Sequence, residues 1–389
     1  QRDQGLSVTV WLGHRKGSAS TSDLRPEALE ESVRKACALA KYGAEDPASG
    51  LADAHRLAKS IPDLSLYHPW AIEPTAAIEL ATVCEAAALD HDPRVTNSEG
   101  ASVSTSEGLR VYGNSHGFLG GYRESDHSIS CSVVAAQDGA METDYEYAVA
   151  RDSADLPSPA DVGAEAGRRT VARLGGTKLE TRTAPVLFPA RVARGLIGHL
   201  LGAISGGALY RKSSFLVDAL GKPVFASRVT IDERPHLPKA LNSAPFDNEG
   251  VETTERRLVD GGVLGGYLLG SYYARKLGMQ TTGNAGGAHN LVVHDTGQSF
   301  AELLKMMGTG LIVADLMGSG VNPVTGDYSR GASGFWVENG AIQYPVTEIT
   351  IAGNLKDMYQ HILGIGTDLD RRGGVLTGSI LVEEMTVAG

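Results

Sequence analysis

The sequence predicts an α+β protein with two domains. Its 389 residues, 42% of them hydrophobic, are enough for one large or two medium hydrophobic cores, and the usual size of a domain favours two. The first half alternates helical and strand periodicities, whereas the second half is richer in glycine and in strand patterns. An N-terminal α/β domain is therefore predicted over residues 1–176, a linker over 177–185, and a mostly antiparallel β domain with a few helices over 186–389.

The N-terminal domain is predicted to open with a strand, LSVTVWL, and to contain three helices. Ser22 or Asp23 is the expected N-cap of the first helix, with Pro26 in its first turn. The apolar face of this helix is expected to consist of Leu29, Val33, Ala36 and Ala40, and its end is expected at Gly43. The second helix is predicted in EPTAAIELATVCEAAALDHD and the third in PADVGAEAGRRTVARLG.

Between the second and third helices the hydrophobic period changes to two, which is typical of strands. Two hairpins of an antiparallel sheet are predicted there, each with a glycine-containing turn. One is expected to turn at Glu107-Gly108 and the other at Asp138-Gly139. The polar stretch GTKLETRTAP then predicts the linker to the second domain.

The C-terminal domain is predicted to begin with a helix over Gly195–Tyr210, in GLIGHLLGAISGGALYRKS. This helix carries His199 and precedes the basic pair Arg211-Lys212. The elements expected after it are a hairpin turning at Asp260-Gly261, a capped helix in SFAELLKMMG, a strand in LIVADLM, a hairpin turning at Asn339-Gly340, a short helix in GNLKDMYQHILGIG and a final strand in GSILVEEMTVAG.

The charge of the chain argues against a nucleic-acid partner. There are 46 acidic and 35 basic residues, which gives a net charge of −11. Basic residues occur at most as pairs, such as Arg168-Arg169, Arg256-Arg257 and Arg371-Arg372. A phosphate backbone would find no basic stripe here.

The cysteines and the hydropathy pattern favour a cytoplasmic protein. Cys37, Cys84 and Cys131 are odd in number and widely spaced, so they predict neither a disulfide framework nor a cysteine zinc site. No apolar run approaches the roughly 20 residues of a membrane span, so no membrane association is expected. The chain opens on Gln1 directly before a strand, and we expect it to be cut from a longer protein.

The residues by themselves form no complete catalytic motif. A helical zinc peptidase needs two histidines one turn apart with a glutamate beside the first, and none of the 11 histidines is followed by glutamate. His289 and His294 are five apart in a strand-like segment, where they would point to opposite faces. DYSRG, around Ser329, has aspartate where a GxSxG nucleophile motif has its first glycine.

A long ordered set of motifs resembles the PmbA branch, also called TldE, of the TldD/PmbA family, whose other titles are modulator of DNA gyrase and peptidase U62. The motifs that carry the resemblance run from end to end of the chain: HRKGSAS, TNSEG, YGNSHGF, HLLGAISGGALYRKSSFL, FDNEGV, GDYSRGASGFWVENGAIQYPVTEITIAGNLKDM and GSILVEEMTVAG. The resemblance implies two domains, a dimer and a further N-terminal segment.

The family resemblance also implies that a zinc motif is degenerate here. The TldD branch resembles a zinc peptidase with an HExxxH helix and a further cysteine ligand near its C-terminus. Aligned on Arg211-Lys212, its two histidines fall on Gly198 and Ala203, its glutamate on His199 and its cysteine close to Thr377. The resemblance therefore implies that this chain holds no metal and that zinc is held by a TldD-like partner.

The implied function is that of a subunit in a TldD–TldE-type heterodimer that cleaves unfolded peptides, with roles in peptide-antibiotic maturation and antitoxin degradation. Two alternatives stay open: a self-sufficient peptidase using Ser329 or His199, for instance, and a peptide-binding homodimer without catalysis. Glycines in GASGFW and IAGN would allow a peptide to pair as a strand. The candidate contacts to peptide or partner are His199, Arg211, Lys212, Ser329, Arg330 and Asn354.

Overall fold

The computed structural model describes residues 1–389, and it confirms the α+β class. At the N-terminus, β1 (Leu6–Leu12) and β2 (Arg15–Thr21) form an antiparallel pair that packs on α1 (Pro26–Tyr42). The approach is close, since a Cβ on Gly17 would lie 2.1 Å from the carbonyl oxygen of Ala36. Glycine is therefore needed at position 17.

Helix α1 differs from its predicted form at its cap and on its buried face. Its N-cap is Arg25 and makes no side-chain capping bond, whereas Asp23 accepts a hydrogen bond from the Arg25 backbone N–H at 3.0 Å. Ser32, Ala36 and Ala40 are buried, but Val33 is 42% exposed. The two-stranded sheet is too narrow to cover the wider apolar stripe that the sequence predicted.

The next layer is an antiparallel sheet covered by two helices. Its elements are α2 (Pro74–Leu89), β3 (Val95–Gly113), β4 (Leu119–Gln137), β5 (Ala140–Ala150) and α3 (Pro159–Ala172), with strand order β3-β4-β5. Cys84 on α2 and Cys131 on β4 are both buried in the core between helices and sheet. The turn at Asp138-Gly139 is confirmed, because both residues have a left-handed φ (53° and 82°).

The turn predicted at Glu107-Gly108 is wrong. Strand β3 continues through both residues, which pair with Ser125 and Glu124 of β4. The chain reverses instead at Asn114–Phe118, where the Asn114 side chain accepts hydrogen bonds from two backbone N–H groups of the loop. A side chain that bonds its own loop defines the reversal more strongly than a glycine alone.

The C-terminal domain contains sixteen further elements. They are β6 (Arg182–Phe188), α4 (Ala190–Ala203), α5 (Gly206–Tyr210), β7 (Ile231–Glu233), β8 (Arg256–Asp260), β9 (Val263–Leu264), α6 (Ser271–Lys276), β10 (Leu291–Val293), α7 (Phe300–Met307), β11 (Gly310–Met317), β12 (Asp327–Glu338), β13 (Ala341–Asn354), α8 (Leu355–Gln360), β14 (Ile362–Ile365), β15 (Val375–Leu376) and β16 (Ile380–Ala388).

These strands form two sheets around the largest hydrophobic core. One sheet has the order β13-β12-β11-β6-β16-β14, and an additional pairing of β13 with β16 closes it into a small barrel. The second has the order β15-β10-β7-β8-β9. Leu196, Ile197 and Leu200 of α4 pack into the core. Helix α4 thus has one face buried in the core, and its opposite face is not part of that core.

Several C-terminal predictions are confirmed. Helix α7 begins with a capping box in which Ser299 and Glu302 bond each other's backbone N–H groups. The hairpin turn at Asn339-Gly340 has φ values of 51° and 73°. The turn between β8 and β9 lies one residue later than predicted, at Gly261-Gly262.

Two boundaries in this domain differ from the prediction. The helix predicted over Gly195–Tyr210 is two helices, and the first begins already at Ala190. They separate at Ile204, because the Ser205 side chain caps α5 by accepting a hydrogen bond from the Ala208 backbone N–H. Residues 182–185 of the predicted linker belong to β6, which pairs with β16.

None of the helices is long and apolar enough to cross a lipid bilayer.

Candidate functional site

Helix α4 presents a strip of backbone without side chains. Gly195, Gly198 and Gly202 are three and four residues apart, so they lie on one face of the helix. A Cβ added at any of them would meet no atom within 4 Å. The face opposite the core is therefore an open surface of exposed helix backbone.

A cleft of about 600 Å³ opens where this helix meets the sheet of the N-terminal half. It is unusually rich in arginine for a chain of net charge −11. Its cationic lining residues are Arg169 of α3, Arg173 at the C-cap of α3, Arg191 and Arg194 of α4, and Arg330 of β12. Its acidic lining residues are Glu99, Asp144 and Asp315.

Buried carboxylates on β5 hold most of these arginines in place. Asp144 lies 3.1 Å from Arg169 and 3.7 Å from Arg173. Glu146 lies 3.1 Å from Arg191 and also pairs with Arg372 of the C-terminal domain. The β5 carboxylates therefore bridge the two halves of the chain across the cleft.

Arg330 differs from the other cleft arginines because no carboxylate lies within 4.0 Å of it. Its Nη2 donates a hydrogen bond to the Leu316 carbonyl oxygen at 3.2 Å. Its Nε is buried and has no acceptor. Asp315 lines the same wall, but its carboxylate accepts a hydrogen bond from the Leu316 backbone N–H instead.

His199 lies near Arg330, although it is not one of the residues that line the cleft. Its ring packs edge to face against Tyr328, with centroids 5.9 Å apart. Burial of the imidazole, and secondly the charge of Arg330, hold the pKa of His199 below its usual value. Burial raises the pKa of Tyr328 to about 12. Both rings are therefore uncharged at neutral pH.

His199→Gln is expected to make the fold less sensitive to acid. The unfolded chain protonates this histidine near its ordinary pKa of 6.5, whereas the folded protein does so only at lower pH. The free energy of unfolding should therefore fall as pH drops from about 6.5 through the folded pKa, and the glutamine variant should lack that component. Urea unfolding of the unmodified protein and the variant between pH 7.5 and 5 gives the slope of the free energy of unfolding against pH for each. Equal slopes would contradict the lowered pKa of His199.

The positions that align with a zinc motif do not fit a zinc ion. Gly198 has no side chain and Ala203 is buried in the core. Thr377 is fully buried, and its hydroxyl donates a hydrogen bond to the Gly378 carbonyl oxygen. This leaves the His199 imidazole near a guanidinium, and no group of three His, Cys, Asp or Glu side chains in residues 1–389 is arranged so that it could hold a metal ion. A zinc ion needs three or four such ligands.

Of the six residues predicted to contact peptide or partner, the structure brings together only His199 and Arg330. Arg211 is exposed at the end of α5, with only a 3.4 Å contact to the Tyr273 hydroxyl. Lys212 is exposed beside it, with a left-handed φ of 54°. Neither lines the cleft.

Ser329 and Asn354 also lie away from the cleft. Ser329 is exposed between Tyr328 and Arg330, and strand alternation places it on the other face of β12 from His199. Asn354 caps α8 by accepting from the Lys356 backbone N–H, and it donates to Asp327. Its contacts are those of a structural residue.

The two spaced histidines have separate partners. His294 forms an ion pair with Asp232 at 2.7 Å, whereas the His289 ring bonds the Gly283 carbonyl oxygen at 3.0 Å. They share no ligand position.

One edge of β11 is open beside the cleft. Strand β6 pairs with β11 only at Leu311 and Ile312, whereas β12 pairs with β11 along its length. Residues 314–316 of β11, which lie beyond the last residue paired with β6, line the cleft. In contrast, Gly334 of GASGFW lies against β11, where a Cβ would be 1.8 Å from the Ile312 carbonyl oxygen. Gly334 is therefore needed for the close packing of β12 against β11.

The sequence did not identify the arginines at 169, 173 and 191 as cleft residues. The sequence shows Arg168-Arg169 as two adjacent basic residues. It does not show that Arg169 forms an ion pair with Asp144 of β5. The alternation of Glu142, Asp144 and Glu146 along one face of β5 is the signal that could have found the network.

The same architecture occurs in solved proteins. The chain superposes on a putative modulator of DNA gyrase from Bacteroides thetaiotaomicron with a TM-score of 0.94 and 30% identity, over 99% of this chain and 88% of that one. Superposition on TldE from Thermococcus kodakarensis gives a TM-score of 0.80 at 20% identity, over 99% and 94% of the two chains, and shows a shared fold. The chain therefore has the α+β fold of these solved proteins.

Family models identify the family within this fold class. PmbA/TldA metallopeptidase models match in three parts: domain 1 at residues 1–40, the central domain at 67–174 and the C-terminal domain at 181–389. Metalloprotease PmbA of Escherichia coli O157:H7 is 52% identical over 100% of this chain and 86% of the relative. A TldD homolog of Haemophilus influenzae is 24% identical over 100% and 87%. The chain belongs to the PmbA/TldD metallopeptidase family and to its PmbA branch, which confirms the resemblance of the motifs.

Proposed function

We propose that this chain is the PmbA/TldE-like subunit of a cytoplasmic TldD–TldE-type complex that cleaves unfolded peptides. In this proposal, a TldD-like partner with an HExxxH helix supplies the zinc ion and the general base. This chain supplies part of the surface that holds the peptide. Substrates of this kind include a peptide-antibiotic precursor and an unfolded antitoxin.

The observation that carries the proposal is the chemistry at the zinc-motif positions. Gly198 and Ala203 offer no ligand atom, and the buried Thr377 hydroxyl is already engaged by a backbone carbonyl. His199 is the one possible ligand, and the adjacent Arg330 charge would repel a cation. These residues support a role without a metal of their own.

The shape of the cleft supports a role in holding an extended peptide. The open edge of β11 presents backbone donors and acceptors, to which a peptide could add as a further strand. Gly195 of α4, which lines the cleft, leaves room there for the backbone of that peptide. Both features recognise backbone instead of particular side chains, as a subunit acting on varied unfolded segments requires.

The self-sufficient peptidase receives no support from the geometry. Ser329 and His199 lie on opposite sides of β12, so the imidazole cannot take the serine proton. A peptide-binding homodimer keeps the same cleft but needs no second kind of subunit. Co-purification with an HExxxH-containing partner separates this alternative from the heterodimer.

Metal content and activity, measured with and without a TldD-like partner, test the proposal. We expect the isolated chain to hold less than a tenth of an equivalent of zinc and to leave an unfolded peptide intact. The reconstituted pair should contain about one zinc per heterodimer and cleave the peptide in a chelator-sensitive way.

A partner whose HExxxH glutamate is replaced by glutamine is the control for this experiment. It should assemble with this chain but fail to cleave, because the general base is lost. Stoichiometric zinc together with chelator-sensitive cleavage by the isolated chain would overturn the proposal.

A further inference from the structure

We propose that Arg330 anchors a carboxylate in the cleft, so that the peptides held there are recognised through either their C-terminus or an acidic side chain. The inference rests on the proposed peptide-holding function, and it adds the chemical class of group that is recognised. Arg330 is thereby assigned as a binding residue.

The first reason is that the Arg330 charge has no counter-ion in the protein. No carboxylate lies within 4.0 Å, although the guanidinium is only partly exposed and its Nε is buried without an acceptor. The neighbouring rings do not compensate it, because Tyr328 keeps its proton and His199 is neutral. Removing a cation from water without an opposite charge is costly, and an anionic ligand would relieve that cost.

The second reason is the contrast with the other arginines of the cleft. Arg169, Arg173 and Arg191 each lie within 4.0 Å of a β5 carboxylate, and Arg194 lies 3.9 Å from Asp370. The other four arginines of the cleft are thus supplied with carboxylate partners. Arg330 alone among the five has none, and its polar neighbours are the uncharged Leu316 carbonyl and Tyr328 hydroxyl.

The third reason is the position of the free donor. Nε of Arg330 has no acceptor in the protein, and the side chain lines the cleft. The Leu316 carbonyl that holds Nη2 belongs to the strand whose edge is open. A peptide paired along that edge would bring a carboxylate within reach of a planar guanidinium, which binds carboxylates with two parallel hydrogen bonds.

Peptide binding to the full chain tests the inference, with fluorescence anisotropy as the readout. The probe is a flexible, otherwise uncharged peptide in three forms: with a free C-terminus, with an amidated C-terminus, and amidated with one internal glutamate. We expect at least one carboxylate-bearing form to bind about tenfold more tightly than the uncharged form, in line with the ~1.5–3 kcal/mol of a hydrogen bond to a charged group. Preference for the free end alone would assign the site to the C-terminus.

Two variants and a control make the test specific. Arg330→Gln should bind all three forms with the affinity of the uncharged one, while Arg330→Lys should keep part of the preference. Arg34→Gln removes an exposed arginine of α1 that does not line the cleft and should keep all of the preference. Thermal unfolding checks that each variant is folded.

The outcomes distinguish this inference from the proposed function. Equal binding of the three forms, or an unchanged preference in Arg330→Gln, would overturn carboxylate recognition and leave peptide holding intact. Failure of the chain to bind any form, both alone and in the reconstituted pair, would overturn peptide holding and this inference with it.

Discussion

Glu146→Ala is expected to lower the free energy of unfolding by about 2–3 kcal/mol and to loosen the two halves of the chain. Glu146 is a buried carboxylate that pairs with Arg191 at 3.1 Å and with Arg372. Breaking a fully buried ion pair costs about 3–5 kcal/mol, because the remaining charge is left without a partner. The value here is lower because Arg372 keeps Asp370 as a partner at 2.9 Å and both arginines keep some contact with water, whereas Arg191 loses its only carboxylate.

Urea unfolding and hydrogen exchange of residues 140–150 measure this effect. Glu142→Ala is the matched control, since Glu142 lies on the same strand face, four positions before Glu146. It pairs with Arg173 at 3.3 Å, and Arg173 keeps Asp144 as a second partner. We expect about 1 kcal/mol or less for the control. Equal losses for the two variants would show that Glu146 does not hold the halves together.

Gly163→Ala is expected to destabilise the protein by about 2–3 kcal/mol, against the usual preference of helices for alanine. Gly163 lies inside α3 where α3 crosses α2. A Cβ there would be 1.9 Å from the carbonyl oxygen of Cys84 and 3.1 Å from the backbone nitrogen of Ala88. Because both atoms belong to the backbone of α2, the helices must move apart to accept the methyl group.

Gly195→Ala is the control for this substitution. Gly195 also lies inside a helix, but a Cβ there would meet no atom within 4 Å. The same change should therefore stabilise the fold by about 0.5–1 kcal/mol through the lower backbone entropy of the unfolded chain. The midpoints of urea unfolding compare the two variants, and a shift in the same direction for both would contradict the close contact between α2 and α3.

The sequence predicted caps and turns correctly where neighbouring residues alone determine them. The capping box before α7 and the Asn339-Gly340 turn are fixed by residues within four positions of one another. The prediction was wrong at Glu107-Gly108, where pairing with β4 extends the strand through a turn-like dipeptide. Distant pairing overrides a local preference when many ladder hydrogen bonds depend on it.

The neighbours of the candidate site residues come from distant parts of the chain for the same reason. His199 and Arg330 were both named from the sequence, but they are 131 positions apart and only folding brings them near each other. Asn354 was named as a contact, yet it is engaged in capping α8. The role of a polar side chain depends on which neighbours already use its donors and acceptors, and those neighbours come from other parts of the fold.

By itself, the sequence determined the family, the order of most helices and strands, and the residues at the zinc-motif positions. These depend on identity and spacing along the chain, which the sequence states directly. Only the tertiary structure decided that β5 carboxylates pair with the cleft arginines and that Arg330 has no such partner. Ion pairs form between side chains that folding brings within a few ångströms of each other, and this distance cannot be read from their spacing along the chain.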